Sequence, residues 1–277
     1  MDSLAGGPAR TIEGMKTWFI TGISSGFGRE MASQLLERGD RVAGTVRRAG
    51  SADDLREKYG DQFWLGHLDV TDQPKVREVV DAAFAELGRI DVVVSNAGYG
   101  LFGAAEEVSD EQVRHQIDTN LLGSIQTVRA ALPHLRAQGG GRLIQLSSVA
   151  GLAAFPGASI YHASKWGVEG FMEALAGEVA PFGIGVTLVE PGGARTEFAG
   201  GSLRGGTPMS AYDNTPAAFV RGLQDGSIEI PGDPAEYAAR VIGSAEVEPA
   251  PLRVVLGEDS YAGVTAALRA RLAQLEA

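Results

Sequence analysis

The sequence predicts an α/β fold: a single Rossmann-type, doubly wound parallel sheet of about seven strands with helices on both faces. Three observations predict it. From Lys16 onward, short β-rich runs alternate with longer helical patterns. Several of those runs are almost continuously apolar, as strands covered on both faces are. A glycine-rich turn stands between the first strand and the first helix, where such folds receive a dinucleotide.

The first run, Thr17–Thr21, leads through that turn into a helical pattern over Gly28–Arg38. Arg41–Arg47 and Phe63–Asp69 are the second and third strands, and a helix over Gln73–Leu87 follows. Asp91–Ser95 is the fourth strand, succeeded by one long helical pattern over Asp110–Leu135. Arg142–Ser147, the fifth, precedes a helix over Tyr161–Val179. Gly185–Glu190, a helix over Pro234–Ser244, the strand Leu252–Leu256 and a helix over roughly Ala262–Leu275 complete the order. Periodicity fails over Ala199–Thr215, which is rich in Gly, Ser and Pro. A loop of that length inside a compact domain is as a rule functional or mobile. It follows the carboxyl end of the sixth strand, where open α/β sheets bind ligands, and reads as a substrate lid; a plain surface insertion is the other reading. Residues 1–14 read as a flexible extension and 15–277 as one domain.

Composition narrows the function classes. An apolar fraction of 44% and a charged fraction of 21% over 277 residues suit a globular chain with a sizeable core. A net charge of −11 argues against nucleic acid or an anionic membrane surface as partner. The absence of cysteine excludes disulfides and thiol catalysis. His67, His115, His134 and His162 show no metal-ligand spacing, so no metal is expected. No apolar run reaches membrane-spanning length, and Met1–Gly14 lacks an apolar signal core, so a cytoplasmic location is expected.

At the dinucleotide end, the turn reads Thr21-Gly22-Ile23-Ser24-Ser25-Gly26-Phe27-Gly28. Its glycines let the backbone turn sharply and approach a pyrophosphate, whose charge then sits at a helix N-terminus. Sites that prefer NAD place an acid at the end of the second strand, to hold the ribose 2′-hydroxyl. Val46 stands there, followed by Arg47 and Arg48, whose planar cationic forks suit a 2′-phosphate. The expectation is therefore NADP (NADPH), with Arg47 the nearer phosphate ligand and Arg48 stacking on adenine; two solvated loop arginines are the plain alternative. Asp69 and Val70 close the third strand, where Asp69 reads as an N-cap or turn residue.

At the other end, Tyr161-His162-Ala163-Ser164-Lys165 puts Tyr161 and Lys165 on one helix face. Free tyrosine has a pKa of about 10, and a neighbouring cation favours its phenolate. Lys165 is accordingly expected to lower the pKa of Tyr161 toward a working range. Ser148, at the end of the fifth strand, is placed to bond a substrate carbonyl, whereas Ser147 points to the other face. Tyr99, Leu101, Phe155, Phe198 and Tyr212 are candidates for an apolar substrate pocket, and each has ordinary packing as its alternative.

Taken together, the T-G-x-x-x-G-x-G turn, Ser95-Asn96-Ala97-Gly98, Asn120, Ser148 and Tyr161-x-x-x-Lys165 resemble the short-chain dehydrogenase/reductase family, from Lys16 to about Thr196. The resemblance implies an Asn120, Ser148, Tyr161, Lys165 catalytic set, with Asn120 positioning a proton-relaying water and Lys165 also holding the nicotinamide ribose. It implies that Gly22, Ser24, Ser25, Gly26, Phe27, Gly28, Asn96, Ala97 and Gly98 meet the cofactor, and that Asp69 meets its adenine instead of serving a local turn. Pro191, Gly192 and Thr196 are implied to meet its nicotinamide end; Arg195 within that segment is unassigned. The activity implied is that of a carbonyl reductase (ketoreductase, alcohol dehydrogenase): direct hydride transfer to a ketone or aldehyde, with Tyr161 as proton donor. A hydrophobic, aryl, cyclic or steroid-like ketone suits the aromatic candidates. The alternatives are an NAD-linked secondary-alcohol (hydroxysteroid-like) dehydrogenase and, more distantly, a non-catalytic nucleotide-binding regulator. Relatives of this kind also imply a homodimer or homotetramer.

Overall fold

A computed structural model describes residues 14–195, 203–227 and 230–276. Residues 1–13, the beginning of the expected lid (199–202), Thr196 and Phe198 lie outside the described residues. The chain runs β1 (Thr17–Ile20), α1 (Gly26–Glu37), β2 (Arg41–Val46), α2 (Asp53–Tyr59), β3 (Phe63–His67), α3 (Gln73–Leu87), β4 (Val92–Ser95), β5 (Gly100–Phe102) and α4 (Asp110–Ile117). A π-helical turn, Asp118–Leu122, leads into α5 (Gly123–Ala137), β6 (Gly141–Leu146) and α6 (Ser159–Val179). Then come β7 (Ile184–Pro191), β8 (Leu203–Gly205), α7 (Phe219–Gln224), α8 (Pro234–Ser244), β9 (Arg253–Leu256) and α9 (Glu258–Glu276).

Seven of the strands form one parallel sheet in the order β3-β2-β1-β4-β6-β7-β9. Alternate residues of each strand supply its two faces. Trp18, Ile20, Val42, Val46, Val92 and Val94 pack with Met31, Leu35 and Leu36 of α1 and Val241 and Ile242 of α8. Phe19, Ala43, Val93, Leu143 and Val186 pack on the other side with α3, α5 and α6, through Val76, Val80, Leu135, Val168 and Met172. Strand order reverses between β1 and β4, which opens a crevice at their carboxyl ends.

The long helix expected over Asp110–Leu135 is interrupted. At Asp118–Leu122 the Gly123 N–H reaches back to the Asp118 carbonyl, five residues away, and one extra residue enters the turn. That insertion turns Asn120 inward, where it is buried. Two three-residue strands, β5 and β8, pair in parallel as a small separate sheet above the crevice, and α2 and α7 are short helices without an expected counterpart. Short segments such as these carry too few residues for a periodic signal.

Two glycines mark opposite constraints. A Cβ on Gly28 would overlap the Gly22 carbonyl oxygen and the Asn96 side-chain amide, neither of which can retreat without moving the turn. Gly170, in the interior of α6, faces open space. Gly28→Ala is expected to lower stability by about 2 kcal/mol through overpacking. Gly170→Ala is expected to raise it by roughly 0.5–1 kcal/mol through lower backbone entropy in the unfolded chain. Thermal melts of the two variants against the parent check both signs.

Candidate active site

A cleft of about 820 Å³ lies along the carboxyl ends of the central strands. Its floor begins at the glycine turn. Asn96 holds that turn from β4: its Nδ2 donates to the carbonyls of Thr21 (2.9 Å) and Gly22 (3.0 Å). The Thr21 hydroxyl accepts the N–H groups of Asn96 (3.0 Å) and Ala97 (3.1 Å) in return. Ala97 approaches Gly22 so closely that a Cβ there would sit 3.0 Å from the Ala97 Cα, and Gly22 itself has φ of 74°, which favours glycine. Ser24, Ser25, Gly26 and Phe27 line the cleft at the start of α1. Ser25, the N-cap, makes no side-chain cap bond, so the first-turn N–H groups of α1 present a place for an anion.

Arg47 lines the same stretch, directly after the fully buried Val46. Asp69 and Val70 line it from the end of β3. The Asp69 carboxylate accepts the Thr71 N–H (3.0 Å) and hydroxyl (2.7 Å). Burial works to raise its pKa, but those two bonds and the charges of Arg47 and His115 outweigh it and hold the carboxyl low. Gly98 and Tyr99 complete this end, with the Tyr99 hydroxyl 2.9 Å from His115 Nδ1.

At the reacting end, Ser148, Tyr161 and Lys165 meet on one wall. Lys165, one helical turn beyond Tyr161, reaches across to donate to the Leu146 carbonyl at the end of β6 (2.8 Å). Ser148 follows two residues later; its hydroxyl accepts the Ala150 N–H (3.1 Å) and bonds the Tyr161 phenol. His162 fixes the loop between them. One ring nitrogen lies 2.9 Å from the Ala150 carbonyl, the other accepts the Phe155 N–H at 3.1 Å, and burial keeps the ring neutral by lowering its pKa.

Against the expectation drawn from their spacing, burial and not Lys165 dominates the Tyr161 phenol in this structure. Burial pushes the Tyr161 phenol up to about 12, against a smaller opposing pull from the Ser148 bond. Burial likewise brings Lys165 down to about 8, opposed by Glu169. The ammonium is 5.9 Å from the phenol ring centroid and points to Leu146, so loss of solvation outweighs the charge.

Asn120 does not line the cleft. Its side chain ties the backbone of Tyr99 instead, donating to the carbonyl (2.8 Å) and accepting the N–H (3.1 Å). Gly28 serves close packing below the cleft, and the Arg48 side chain is exposed away from it. Pro191 and Gly192 do line it; Asp259 of α9 holds their turn by accepting the Gly193 N–H (2.9 Å). Arg195 binds the Pro231 carbonyl and Asp233 instead. Leu101 and Phe155 line the cleft, whereas Tyr212 donates to Glu106 (2.8 Å) outside it.

Several lining residues carried no sequence signal: Phe102, Leu203, Arg204, Phe219 and Leu223. Phe102 stacks edge-on against Tyr161 with centroids 5.7 Å apart, and Leu203 and Leu223 pack on the same cluster. The β5–β8 unit is latched by the buried Glu107, which accepts the N–H groups of Ala104 and Met209 (2.8 Å each) and pairs with Arg221 (2.7 Å). Among the described residues, no cluster of His, Cys, Asp and Glu could hold a metal, and no helix is long and apolar enough to cross a membrane.

The comparisons agree with this architecture. The sequence profile described as short chain dehydrogenase matches residues 16–204. An oxidoreductase of Botryotinia fuckeliana is 40% identical over 257 residues, covering 91% of this chain and 93% of its own. An NADPH-dependent 3-dehydrocapnine reductase of Ornithobacterium rhinotracheale is 34% identical over 205 residues, 72% of each chain. A short-chain dehydrogenase of Streptomyces avermitilis superposes with a TM-score of 0.89 at 40% identity, covering 95% of this chain and 96% of its own. The chain belongs to the short-chain dehydrogenase family, and the oxidoreductases of that family are the class its fold and cleft define.

Behind the cleft lies a buried acidic pair. Arg253 on β9 approaches Glu169 (3.2 Å), Glu190 (3.1 Å) and Glu173 (2.8 Å). Burial and the neighbouring Glu169 raise the Glu190 pKa to about 7, against the pull of Arg253; burial raises Glu169 as well. An acid whose folded pKa is raised binds its proton more tightly in the folded state. Stability is therefore lost as pH climbs from the unfolded value of about 4.3 through the folded value. Glu190→Gln should remove part of that loss, so its melting temperature should fall less between pH 5 and 8 than the parent's, as calorimetry at the two pH values will reveal.

Proposed function

We propose that this protein reduces the carbonyl group of a hydrophobic ketone or aldehyde, using NADPH. The observation that carries this reading is the convergence of Ser148, Tyr161 and Lys165 on one wall of the cleft, with the phenol held protonated by burial. A phenol that keeps its proton at neutral pH is a donor, which suits reduction. The cofactor, when bound, supplies the hydride.

Every other part is assigned to the chain's own residues. Ser148 orients the carbonyl oxygen and stabilises the charge that develops on it. Tyr161 gives its proton to that oxygen; an alkoxide is a far stronger base than a phenolate, so the transfer runs downhill. Lys165, less basic than a Tyr161 phenolate would be, favours return of a proton toward Tyr161, and its ammonium is suited to the ribose hydroxyls. Asn120 acts as a positioning residue, since its side chain fixes the Tyr99 turn.

NADP is favoured by the chemistry at the end of β2. Val46 offers no carboxylate to repel a phosphate, and Arg47 lines the cleft. The relative named as an NADPH-dependent reductase supports the same cofactor. The exposed Arg48 is left without a role, and Asp69 is assigned to the adenine through the cleft face it shares with Val70. The substrate end is bounded by Phe102, Phe155, Leu203, Phe219 and Leu223, an apolar setting suited to a bulky or long-chain ketone. The β5–β8 unit with its Glu107 latch is assigned as part of the substrate lid.

Tyr161→Phe keeps the ring and removes the proton. It is expected to lower kcat for ketone reduction by about 10²–10⁴-fold. NADPH binding, followed by nicotinamide fluorescence, should weaken by less than about tenfold, because one hydroxyl contributes about 1 kcal/mol. A variant that kept the parent rate on a well-turned-over ketone would remove Tyr161 from the mechanism.

A further inference from the structure

Arg204 and Arg47 are the two arginines among the described residues that line the cleft. Arg204 sits on β8, opposite Leu101 in the register of the small sheet. Its neighbour Leu203 packs with Phe102 and Tyr161 at the reacting end. Side chains alternate along a strand, so Arg204 projects to the other face, shared with Leu101 and Tyr99. The Tyr99 phenol registers that placement. Burial raises its pKa to about 12, and the positive charges of Arg204 and Arg47 both pull against the rise. On that face, with Leu101 and Tyr99, Arg204 lies across the small sheet from Phe102 and Tyr161, and it shares the cleft lining with Arg47.

Its backbone is well held there. Gln112 of α4 donates to the Gly205 carbonyl (3.0 Å), and the Gly206 N–H donates to Phe102 (2.8 Å). Among the described residues neither Arg47 nor Arg204 forms an ion pair or side-chain hydrogen bond. The charged and titratable groups around them are Asp69, whose carboxylate is engaged by Thr71, Glu111 and His115 on α4, and Tyr99 itself. In a chain of net charge −11, two unpaired arginines lining one cleft form a local exception.

We propose that Arg204 is a second ligand for the phosphate monoester at the adenosine end of NADP. The 2′-phosphate is then bridged between Arg47 of the main sheet and Arg204 of the lid. The proposal rests on the NADP reading above and extends it: the feature that separates NADP from NAD also ties the lid strand down. Guanidinium groups suit this task because they meet phosphate oxygens with paired N–H donors. Binding of the phosphorylated cofactor would thus add a further tie between the β8 wall of the apolar pocket and the main sheet, and binding of NAD would not.

The test uses the full chain and two fragments, 2′,5′-ADP and 5′-AMP, titrated calorimetrically into the parent, Arg47→Gln and Arg204→Gln. The parent should prefer 2′,5′-ADP by about 100-fold, and each variant should lose about tenfold of that preference, the size of one charge-assisted hydrogen bond. Affinity for 5′-AMP should stay within about twofold, since neither side chain is assigned to the shared part of the ligand. Arg204 is exposed, so folding should be unaffected, and Arg204→Lys should restore part of the preference. If Arg204→Gln keeps the parent preference while Arg47→Gln loses it, the Arg204 assignment is overturned and the NADP reading stands. A parent with no preference overturns both. As a second readout, NADP should protect the segment 203–227 from limited proteolysis in the parent but not in Arg204→Gln; equal protection in both overturns the bridging. An effect of Arg204→Gln confined to turnover of ketones bearing a carboxylate would assign the side chain to substrate instead and would also overturn the proposal.

Discussion

A buried ammonium bound to a strand-end carbonyl holds the reacting end of this protein together. Lys165 spans from α6 to the last residue of β6 and donates to the Leu146 carbonyl at 2.8 Å. An ammonium in a dry interior costs several kcal/mol unless it is paired and hydrogen-bonded. The carbonyl and the nearby Glu169 offset that cost. Because β6 and α6 are fixed to each other at this point, Ser148 and Tyr161 are brought within hydrogen-bonding reach. The His162 ring ties the intervening loop at Ala150 and Phe155.

The two ends of the cleft are built by different means. At the glycine turn, backbone and the Asn96 amide do the positioning, with contacts so close that no larger residue fits at Gly22 or Gly28. At the apolar end, side chains do it: Phe102 against Tyr161, and the β5–β8 unit latched through Glu107 and Arg221. Backbone contacts suit a ligand of fixed shape, such as a dinucleotide phosphate. A side-chain wall suits a ligand that differs from one relative to the next. The acidic pair Glu169–Glu190 leaves Arg253 as the cation that links β9 to α6 and β7.

What could be read from the sequence was what depends on local spacing. The parallel sheet followed from its apolar runs, and its order placed the crevice where the glycine turn and Ser148 had already pointed. Tyr161 and Lys165 were legible as helix neighbours. The net direction of the Tyr161 pKa was not, because it is dominated by burial, which spacing does not encode. The place of Arg47 directly after Val46 marks it as the nearer ligand, and it lines the cleft; the adenine role expected of Arg48 finds no support, because its side chain is exposed away from the cleft. The extra residue at Asp118–Leu122 leaves no mark on an amphipathic pattern that continues across it, so the pattern alone reads as one helix over Asp110–Leu135, with a kink at Asn120 as the other reading of that residue. Arg204 and Glu107 were silent for a different reason: their partners, Leu101 and Arg221, lie about a hundred positions away and meet them only in three dimensions.

The most direct measurement of the central claim is the ionisation of Tyr161 in the unliganded protein. Ultraviolet difference titration of the parent against Tyr161→Phe isolates that one phenol from the five other tyrosines. A buried phenol next to an ammonium that points away should give no tyrosinate signal attributable to residue 161 until the pH is well above 10, the value for free tyrosine. A tyrosinate signal appearing near neutral pH would show that Lys165 governs Tyr161 after all, and would contradict the account of a phenol kept as a proton donor by burial.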